Sequence, residues 1–363
     1  MSQAVPVGTQ APPRAVGVLG MGVYLPPGKR SNEEVARDLK VPPEWVAART
    51  GVHTRHVAAP HQAASDLAAE TVLRAARSAG ITPGDIGLLV LATSCPDELG
   101  PATACRVQAR IGAGAAVAFD VGAACSGWLF ATRVAHDWLR ADASTGYAAV
   151  VGVEAFSKFL NPRDRATAML FADGAAAAIL GPADNGFAGI HLGTDGRGVH
   201  HALIPAGGSR RPASEHTIRD GGHTIHTDNR AIHAFITGIF PRLINDTLAH
   251  HGLTLADIDA VITTQPSPVL LRDLGERTGI PPHRLVVTGD ETGNIGAAGA
   301  PYALAAAAAR GTIHPGDRIL LAVFGGGLTW GSALLTWTGA TALGVPPPHT
   351  GRAPADSKTE GTR

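Results

Sequence analysis

Residues 78–87 read SAGITPGDIG, and residues 250–259 read HHGLTLADID. The positions that match, always 172 residues apart, are Gly80 with Gly252, Thr82 with Thr254, Asp85 with Asp257 and Ile86 with Ile258. Each copy is followed by a hydrophobic segment with the composition of a buried strand. Self-similarity at a fixed spacing is the mark of a duplicated structural unit. The sequence therefore predicts two similar α/β halves.

Apolar or β-branched segments alternate along the chain with Ala-rich amphipathic segments. The predicted strands are GLLVLATS (87–94), AVAFDVG (116–122), YAAVVGVEAF (147–156), AVITTQ (260–265), RLVVTGD (284–290) and RILLAVFGGG (318–327). In each half the second strand ends in an aspartate, Asp120 or Asp290, and a small-residue helix is predicted to follow. This alternation is typical of α/β proteins, whose chemistry gathers where strands end and helices begin.

We place the domain boundaries by composition. Both ends of the chain are rich in Pro, Gly and polar residues, which have little to bury. The prediction is a flexible tail over residues 1–13, an N-terminal half over 14–185, a C-terminal half over 186–340 and a second flexible tail over 341–363.

Composition excludes several classes of function. The 363 residues are 45% hydrophobic and 17% charged, enough apolar material for a large core. Thirty basic and thirty acidic residues give no net charge, which argues against nucleic-acid or anionic-membrane partners. Three cysteines without CxxC spacing indicate neither a disulfide framework nor a metal site, and fit a reducing cytoplasm.

Several sequence signals are absent. No signal-peptide h-region and no long apolar span occurs, so we expect a soluble cytoplasmic protein. Neither GxGxxG nor GxxxxGK[ST] occurs, so we expect no nucleotide as a redox or phosphoryl cofactor.

Cys125 is the strongest candidate for chemistry. It lies in DVGAACSGW (120–128), directly after a predicted strand and at the start of a small-residue helix. A helix N-terminus offers free N–H groups and partial positive charge, which lower a thiol pKa and stabilise an oxyanion. Cys95 and Cys105 lack this setting, and we interpret them as structural. The alternative for Cys125 is a buried structural cysteine in a tight turn.

Over nearly its whole length, the chain resembles the β-ketoacyl-acyl carrier protein synthase III family of the thiolase superfamily. The segments that carry the resemblance are GVYLPPGKRSNEEVA (22–36), PEWVAARTGVHTRH (43–56), FDVGAACSGW (119–128), FADGAAAAIL (171–180), ETGNIGAAGAPYAL (291–304) and FGGGLTWGSALL (324–335). The resemblance implies a thiolase-like, five-layered αβαβα fold and a homodimer. It also implies that Cys125 accepts an acyl group from coenzyme A or a carrier protein, and that Asn294 is the active-site asparagine. The backbone N–H groups of Cys125 and Gly327 are the implied oxyanion hole.

One catalytic position departs from the family pattern. The family carries His-Gln-Ala-Asn after the strand that here ends in Thr264, and this chain continues with Gln265. A threonine hydroxyl is a weaker donor than an imidazole, and losing one such group typically costs about 10²- to 10⁴-fold in rate. The candidates for a surrogate base are His200 and His201, and also Glu98, which lies in a loop that by resemblance reaches the partner subunit's pocket. The alternative is that they are surface or wall residues.

The resemblance also implies the coenzyme A contacts. Trp45 and Arg165 match the pair that holds the adenine, and Arg49 and Asn229 match further contacts. No cofactor is expected to be bound permanently, because the coenzyme A thioester is a substrate. Val269 occupies a position where the family commonly has an arginine for docking the acidic carrier protein, so the sequence supports acylation of Cys125 more strongly than use of the carrier protein. The predicted donor is acyl-CoA, the carrier protein or both.

The leading interpretation is an acyltransferase of the ketoacyl synthase III type. It loads Cys125 and passes the acyl group to a small-molecule acceptor, in specialised-metabolite biosynthesis of polyketide or fatty-acyl type. One alternative is a decarboxylative condensing enzyme that primes fatty-acid or polyketide chains with a malonyl thioester. A second is a non-catalytic partner subunit, which the intact Cys125 motif argues against.

Overall fold

The computed structural model describes residues 15–347, so the predicted N-terminal tail lies outside the described residues. The strands are β1 (Ala15–Tyr24), β2 (Gly28–Ser31), β3 (Thr54–Val57), β4 (Ile86–Ala92), β5 (Val117–Val121), β6 (Tyr147–Ala155), β7 (Asp173–Ala183), β8 (Phe187–Thr194), β9 (Ala202–Leu203), β10 (His226–Thr227), β11 (Ala260–Thr263), β12 (Arg318–Gly325), β13 (Thr329–Thr336) and β14 (Ala342–Leu343).

The α-helices are α1 (Asn32–Leu39), α2 (Pro43–Thr50), α3 (Ala64–Ala79), α4 (Thr103–Ile111), α5 (Gly127–Ala141), α6 (Glu215–Arg219), α7 (Asn229–His251), α8 (Pro268–Thr278), α9 (Gly289–Thr292) and α10 (Gly299–Ala309). Short 3-10 helices span Pro83–Asp85, Ala124–Ser126, Phe156–Phe159, Gly196–His201, Leu255–Asp257 and Gly296–Ala298. Among residues 15–347, no helix combines the length and hydropathy that crossing a membrane requires.

Two sheets form the frame of the molecule. The first has six strands in the order β14-β1-β7-β6-β4-β5, and the second has four in the order β11-β12-β13-β8. In the first sheet β4 runs parallel to both β5 and β6, while in the second β11 runs parallel to β12. The chain passes from the first sheet to the second between β7 and β8.

Helices fill three layers around these sheets. The helices α5 and α10 lie between the sheets, where Trp128 and Tyr302 share one apolar cluster with residues of both. Outside the first sheet, α3 and α4 bury a second cluster that includes Leu67 and Val107. Outside the second sheet, α7 and α8 bury a third that includes Phe240. The fold is therefore the predicted thiolase-like αβαβα arrangement in five layers.

The two matching segments, residues 78–87 and 250–259, form the same helix-to-strand connection in each half. The helices α3 and α7 end at Gly80 and Gly252, which have φ angles of 72° and 63°. In this left-handed region a side chain is disfavoured. The carboxylate of Asp85 then accepts hydrogen bonds from the backbone N–H and hydroxyl of Thr82, at 2.8 and 2.6 Å. Asp257 repeats the pattern with Thr254 at 2.8 and 2.7 Å.

The predicted strand at 284–290 is wrong. The segment forms a single parallel bridge, between Val261 and Leu285, and Asp290 lies in the short helix α9. The side chain of Gln265 donates to the carbonyl of Val286 and accepts from the N–H groups of Thr288 and Gly289. These bonds satisfy backbone groups that a strand would have paired with its neighbour.

The predicted start of the C-terminal tail is also wrong. Residues Ala342–Leu343 form β14, which pairs in parallel with β1. The carbonyl of Thr341 accepts bonds from the Met21 N–H at 2.9 Å and the Ser78 hydroxyl at 2.6 Å. Strand β14 thus covers an edge of β1 that would otherwise expose unpaired backbone groups. The remainder of that predicted tail, residues 348–363, lies outside the described residues.

A substitution at Gly152 can test the close packing of β6 against the turn before α10. A Cβ at Gly152 would lie 2.2 Å from the carbonyl oxygen of Ala297, closer than van der Waals contact allows. We expect Gly152→Ala to lower the free energy of unfolding by about 1–3 kcal/mol, because the backbone must shift. Urea denaturation measures this loss.

The matched control is Gly146→Ala, since a Cβ there meets no atom within 4 Å. Equal stability of the two variants would contradict the close packing.

Candidate active site

Cys125 lies in the 3-10 turn Ala124–Ser126, between β5 and α5. The preceding Ala124 has a φ angle of 46°, a left-handed conformation that non-glycine residues seldom adopt. A Cβ on Gly325 would lie 2.8 Å from the backbone nitrogen of Cys125. Glycine at 325 is therefore required, because the end of β12 passes directly against the turn that carries the thiol.

Two hydroxyls fix this turn to the glycine-rich loop. The hydroxyls of Ser126 and Thr329 are hydrogen-bonded at 2.6 Å. Thr329 Oγ1 also lies 3.0 Å from the carbonyl oxygens of both Ala123 and Gly326, close enough to donate to either. Sequence reasoning missed this pair, although a lone threonine in FGGGLTWG was a visible signal.

A cavity of about 500 Å³, including its open mouth, brings the predicted catalytic side chains together. It is lined by Cys125, Phe171, Ala202, Thr227, Ile232, Phe235, Ile236, Thr264, Pro266, Asn294, Phe324, Gly325 and Gly326. The thiol, the amide and the threonine hydroxyl thus face one mainly apolar space. Gly325 and Gly326 are among the lining residues, and Gly327, the predicted oxyanion donor, directly follows them in the loop.

Asn294 is held so that its amide N–H₂ group can act as a donor. Its side-chain oxygen accepts a hydrogen bond from the Gly296 N–H at 2.9 Å, which assigns Oδ1 as the acceptor. Its backbone N–H donates to Leu170 at 2.7 Å, and its carbonyl accepts from Ala172 at 3.0 Å. The backbone and the side-chain oxygen of Asn294 are therefore both fixed by hydrogen bonds, and Nδ2 is left to donate to a ligand in the cavity.

Thr264 is buried, and its hydroxyl has no hydrogen-bond partner in the described part of the chain. A buried hydroxyl without a partner in an active-site cavity is a functional signal, because desolvating it costs free energy. The next residue, Gln265, uses its whole amide on backbone groups, including donation to the Thr263 carbonyl at 3.1 Å. Gln265 thereby fixes the turn that presents Thr264.

The predicted lowering of the thiol pKa is wrong. Burial and the negative charge of Glu154 raise the pKa of Cys125 to about 12. Glu154 is itself buried, and desolvation raises its pKa to about 8 although the N–H groups of Ser94 and Ala297 donate to it. The thiol is therefore protonated at rest. Sequence reasoning missed Glu154, whose signal was a single carboxylate in an apolar strand.

The structure does not bring the three surrogate-base candidates to the thiol. His200 is exposed, its ring centroid 4.2 Å from that of His201, and neither lines the cavity. His201 Nδ1 lies 3.8 Å from a carboxylate oxygen of Asp228. Glu98 is paired with Arg106 on the surface, and this hydrogen bond lowers its pKa. Within one protomer, His200 and His201 therefore lie outside the cavity of Cys125, whereas the prediction for Glu98 concerns the partner subunit's pocket and stays a prediction.

The predicted coenzyme A contacts meet around one indole ring. Trp45 lies half-buried in α2, and the guanidinium carbons of Arg49 and Arg165 lie 5.5 and 5.8 Å from its ring centroid. Both distances permit cation–π attraction. Two cations around one aromatic surface can receive a planar, negatively charged ligand.

A chain of contacts leads from this group to the cavity. The Asn229 amide lies 3.4 Å from the carbonyl oxygen of Ala166, which directly follows Arg165. The Thr227 hydroxyl donates to Asn229 Oδ1 at 2.8 Å, and Thr227 lines the cavity of Cys125. The four predicted contact residues and the thiol thus lie along one continuous path.

The raised pKa of Glu154 predicts a pH-dependent stability. Its carboxyl titrates near 4.5 when unperturbed and at about 8 in the folded protein, so the folded state binds this proton more tightly. Its contribution to stability is therefore lost as pH rises from about 4.5 to about 8. Glu154→Gln lacks this titration. As the pH rises through this range, we expect its free energy of unfolding to exceed that of the wild type by a few kcal/mol, because one pKa unit corresponds to about 1.4 kcal/mol.

Unfolding free energies at pH 5, 7 and 9 measure the difference, with Glu276→Gln as the control for an exposed carboxylate. Parallel pH profiles for the wild type and Glu154→Gln would contradict this account.

Comparison with known proteins identifies the family. Residues 119–196 match the family model "3-Oxoacyl-[acyl-carrier-protein (ACP)] synthase III", and residues 248–337 match the model of its C-terminal region. The chain is 38% identical over 329 residues to the beta-ketoacyl-[acyl-carrier-protein] synthase III of Symbiobacterium thermophilum, covering 89% of this chain and 98% of that protein.

Solved structures agree. The 3-oxoacyl-(acyl carrier protein) synthase III of Pseudomonas aeruginosa matches with a TM-score of 0.82 and 33% identity, over 90% of this chain and 99% of its own. The priming β-ketosynthase of the R1128 polyketide pathway matches with a TM-score of 0.82 and 28% identity, over 91% and 99%. The chain belongs to the 3-oxoacyl-[acyl-carrier-protein] synthase III family.

Proposed function

We propose that this member of the family is an acyltransferase that forms a thioester on Cys125 and passes the acyl group to an acceptor. The observation that carries the proposal is the content of the cavity: Cys125 and Asn294 are present, and Thr264 holds the third position. The donor is a coenzyme A thioester or an acyl carrier protein thioester. Relatives named beta-ketoacyl-[acyl-carrier-protein] synthase III support this donor class.

In the loading step, Cys125 Sγ attacks the carbonyl carbon of the donor thioester. The new C–S bond forms, the old one breaks, and the proton of Cys125 ends on the departing thiolate. The backbone N–H groups of Cys125 and Gly326 are the proposed oxyanion donors, because both residues line the cavity. The thiol pKa of about 12 requires the proton to leave as the bond forms. No part of this step uses residue 264.

The acceptor step distinguishes this chain from a decarboxylating synthase. Loss of CO₂ from a malonyl thioester places negative charge on its carbonyl oxygen, and donors must stabilise that charge. Asn294 Nδ2 and the unpartnered Thr264 hydroxyl are the side-chain donors that the cavity offers. Replacing an imidazole by a hydroxyl costs roughly 3 to 5 kcal/mol of such stabilisation. Transfer to a nucleophile other than a malonyl carbanion avoids this cost.

A second candidate is a decarboxylative synthase that primes fatty-acid or polyketide chains. It is favoured by the two remaining donors and by the likeness to the R1128 priming β-ketosynthase. That likeness also supports a role in polyketide or other specialised-metabolite biosynthesis.

We further propose a homodimer built on the open edge of the first sheet. Among residues 15–347, strand β5 has a partner on one side only, and its Val117 is 48% exposed. Leu99, in the loop that by resemblance reaches the partner's pocket, is 84% exposed. Apolar side chains at an unpaired edge favour pairing with a second copy.

Acylation is expected at Cys125 alone. Intact-protein mass spectrometry after incubation with acyl-CoA donors should show one acyl adduct on the wild type and none on Cys125→Ala. The control is Cys105→Ala, which removes an exposed thiol outside the cavity and should leave the adduct unchanged. An acyl adduct on Cys125→Ala would overturn the assignment of the nucleophile.

Restoring the family residue should separate the two half-reactions. Thr264→His is expected to raise malonyl decarboxylation about 10²-fold or more, because an imidazole joins Asn294 at the carbonyl oxygen. Formation of the Cys125 thioester should change little. Release of CO₂ and the rate of acyl loading are measured separately.

The matched control is Thr264→Val, which removes the hydroxyl and keeps the shape of the side chain, and should not gain decarboxylation. If the wild type condenses acyl and malonyl thioesters at about 1 s⁻¹ or faster, the acyltransferase proposal fails and the priming synthase replaces it.

The dimer is tested by light scattering at micromolar concentration, where we expect a mass of two 37.1 kDa chains. Val117→Lys places a charge on the open edge and should shift the equilibrium towards monomer. A wild-type mass equal to one chain would contradict the proposed interface.

A further inference from the structure

Three histidines meet on the outer side of the second sheet, apart from the cavity of Cys125. His191 lies on the edge strand β8, and His250 and His251 form the last turn of α7. One ligand nitrogen from each lies within 4.8 Å of the other two. The structure thus gathers three imidazoles, a ligand type that Zn²⁺ commonly uses, from two elements of the fold.

The rings converge over Gly189, a position without a side chain. A Cβ there would lie 3.3 Å from Nε2 of His191 and 3.3 Å from Nε2 of His251. The ring centroid of His250 lies 4.6 Å from that of His191 and 4.9 Å from that of His251. The glycine therefore leaves open the space into which both Nε2 atoms point.

His251 offers a ring nitrogen that no other described group uses. Its Nε2 is buried and has no hydrogen-bond partner among the residues that the structure describes. A neutral imidazole with a free nitrogen is the form that binds transition metals.

The three histidines adjoin a cavity and the C-terminal end of a helix. An adjoining cavity is lined by His191, His250, Asp246 and Arg242, among others. Asp246 lies one turn before His250 on α7, and its carboxylate is 3.7 Å from Arg242 Nε. The end of α7 also carries the negative end of the helix dipole, which favours a cation.

We propose that His191, His250 and His251 bind one divalent transition-metal ion of the Zn²⁺ type, with water completing the coordination. The ion would fasten β8 to α7, because its ligands come from both elements. It is a stabilising site and takes no part in acyl transfer, since α7 rises about 1.5 Å per residue and its cavity-lining residue Phe235 lies roughly 20 Å before His250.

The test is isothermal titration of the full chain with ZnCl₂. The protein carries no polyhistidine tag, is freed of metal with a chelator, and has the Cys105→Ala background to remove an exposed thiol that could bind zinc. We expect one site per chain with a micromolar or tighter dissociation constant. His191→Ala and His250→Ala should each weaken it about 10-fold or more.

Both histidines are exposed, so neither truncation should impair folding. The matched control is His233→Ala, an exposed histidine on the same helix, which should keep full affinity. A Zn²⁺-dependent rise in melting temperature, present in the control and absent in the two variants, would support the site independently. Failure of the wild type to bind, or equal binding by all variants, would overturn the proposal and leave acyl transfer by Cys125 untouched.

Discussion

The packing of α5 and α10 between the two sheets is the constraint on which the site depends. The helix α10 consists mostly of alanine and is almost entirely buried, whereas α5 buries the large side chains of Trp128 and Leu129 together with small residues such as Ala131. A helix buried on all sides must be apolar around its whole circumference, and small side chains let it approach its neighbours closely. Because Cys125 and Asn294 lie in the turns just before these helices, packing the helices side by side brings the two functional groups into one cavity.

Close backbone contacts make that arrangement rigid. Gly325 lets the end of β12 reach the amide of Cys125, and Gly152 lets β6 reach the carbonyl of Ala297. The hydroxyls of Ser126 and Thr329 then connect the nucleophile turn to the glycine-rich loop. A preorganised set of donors avoids reorganisation during the reaction, which is the main source of oxyanion stabilisation in enzymes.

The electrostatics of the site set its chemical limits. Burial disfavours a resting thiolate at Cys125, so the reaction depends on stabilising charge as the bond forms. Thr264 offers a neutral hydroxyl where the family carries an imidazole. Loading a thioester places charge near backbone N–H groups, whereas decarboxylation places it near residues 264 and 294. In the proposed function, threonine at position 264 therefore weakens decarboxylation and spares thioester formation.

The sequence by itself determined what depends on local rules. The duplicated connections at Gly80 and Gly252, the buried strands and the positions of Cys125, Asn294 and Thr264 all follow from spacing, composition and the family pattern. Helix ends, helix capping and strand periodicity are set by residues that are neighbours in the chain, so the sequence predicts them.

Only the tertiary structure decided which of these residues share a cavity and how each is ionised. It brought Gly325 and Gly326 to the cavity wall, left His200 and His201 outside it, and replaced a predicted strand at 284–290 by bonds to Gln265. It also raised the pKa of Cys125, which local reasoning from the helix N-terminus had predicted to fall. The physical reason is that desolvation and charge at a site depend on segments distant in the chain, such as Glu154, whose approach no local pattern records.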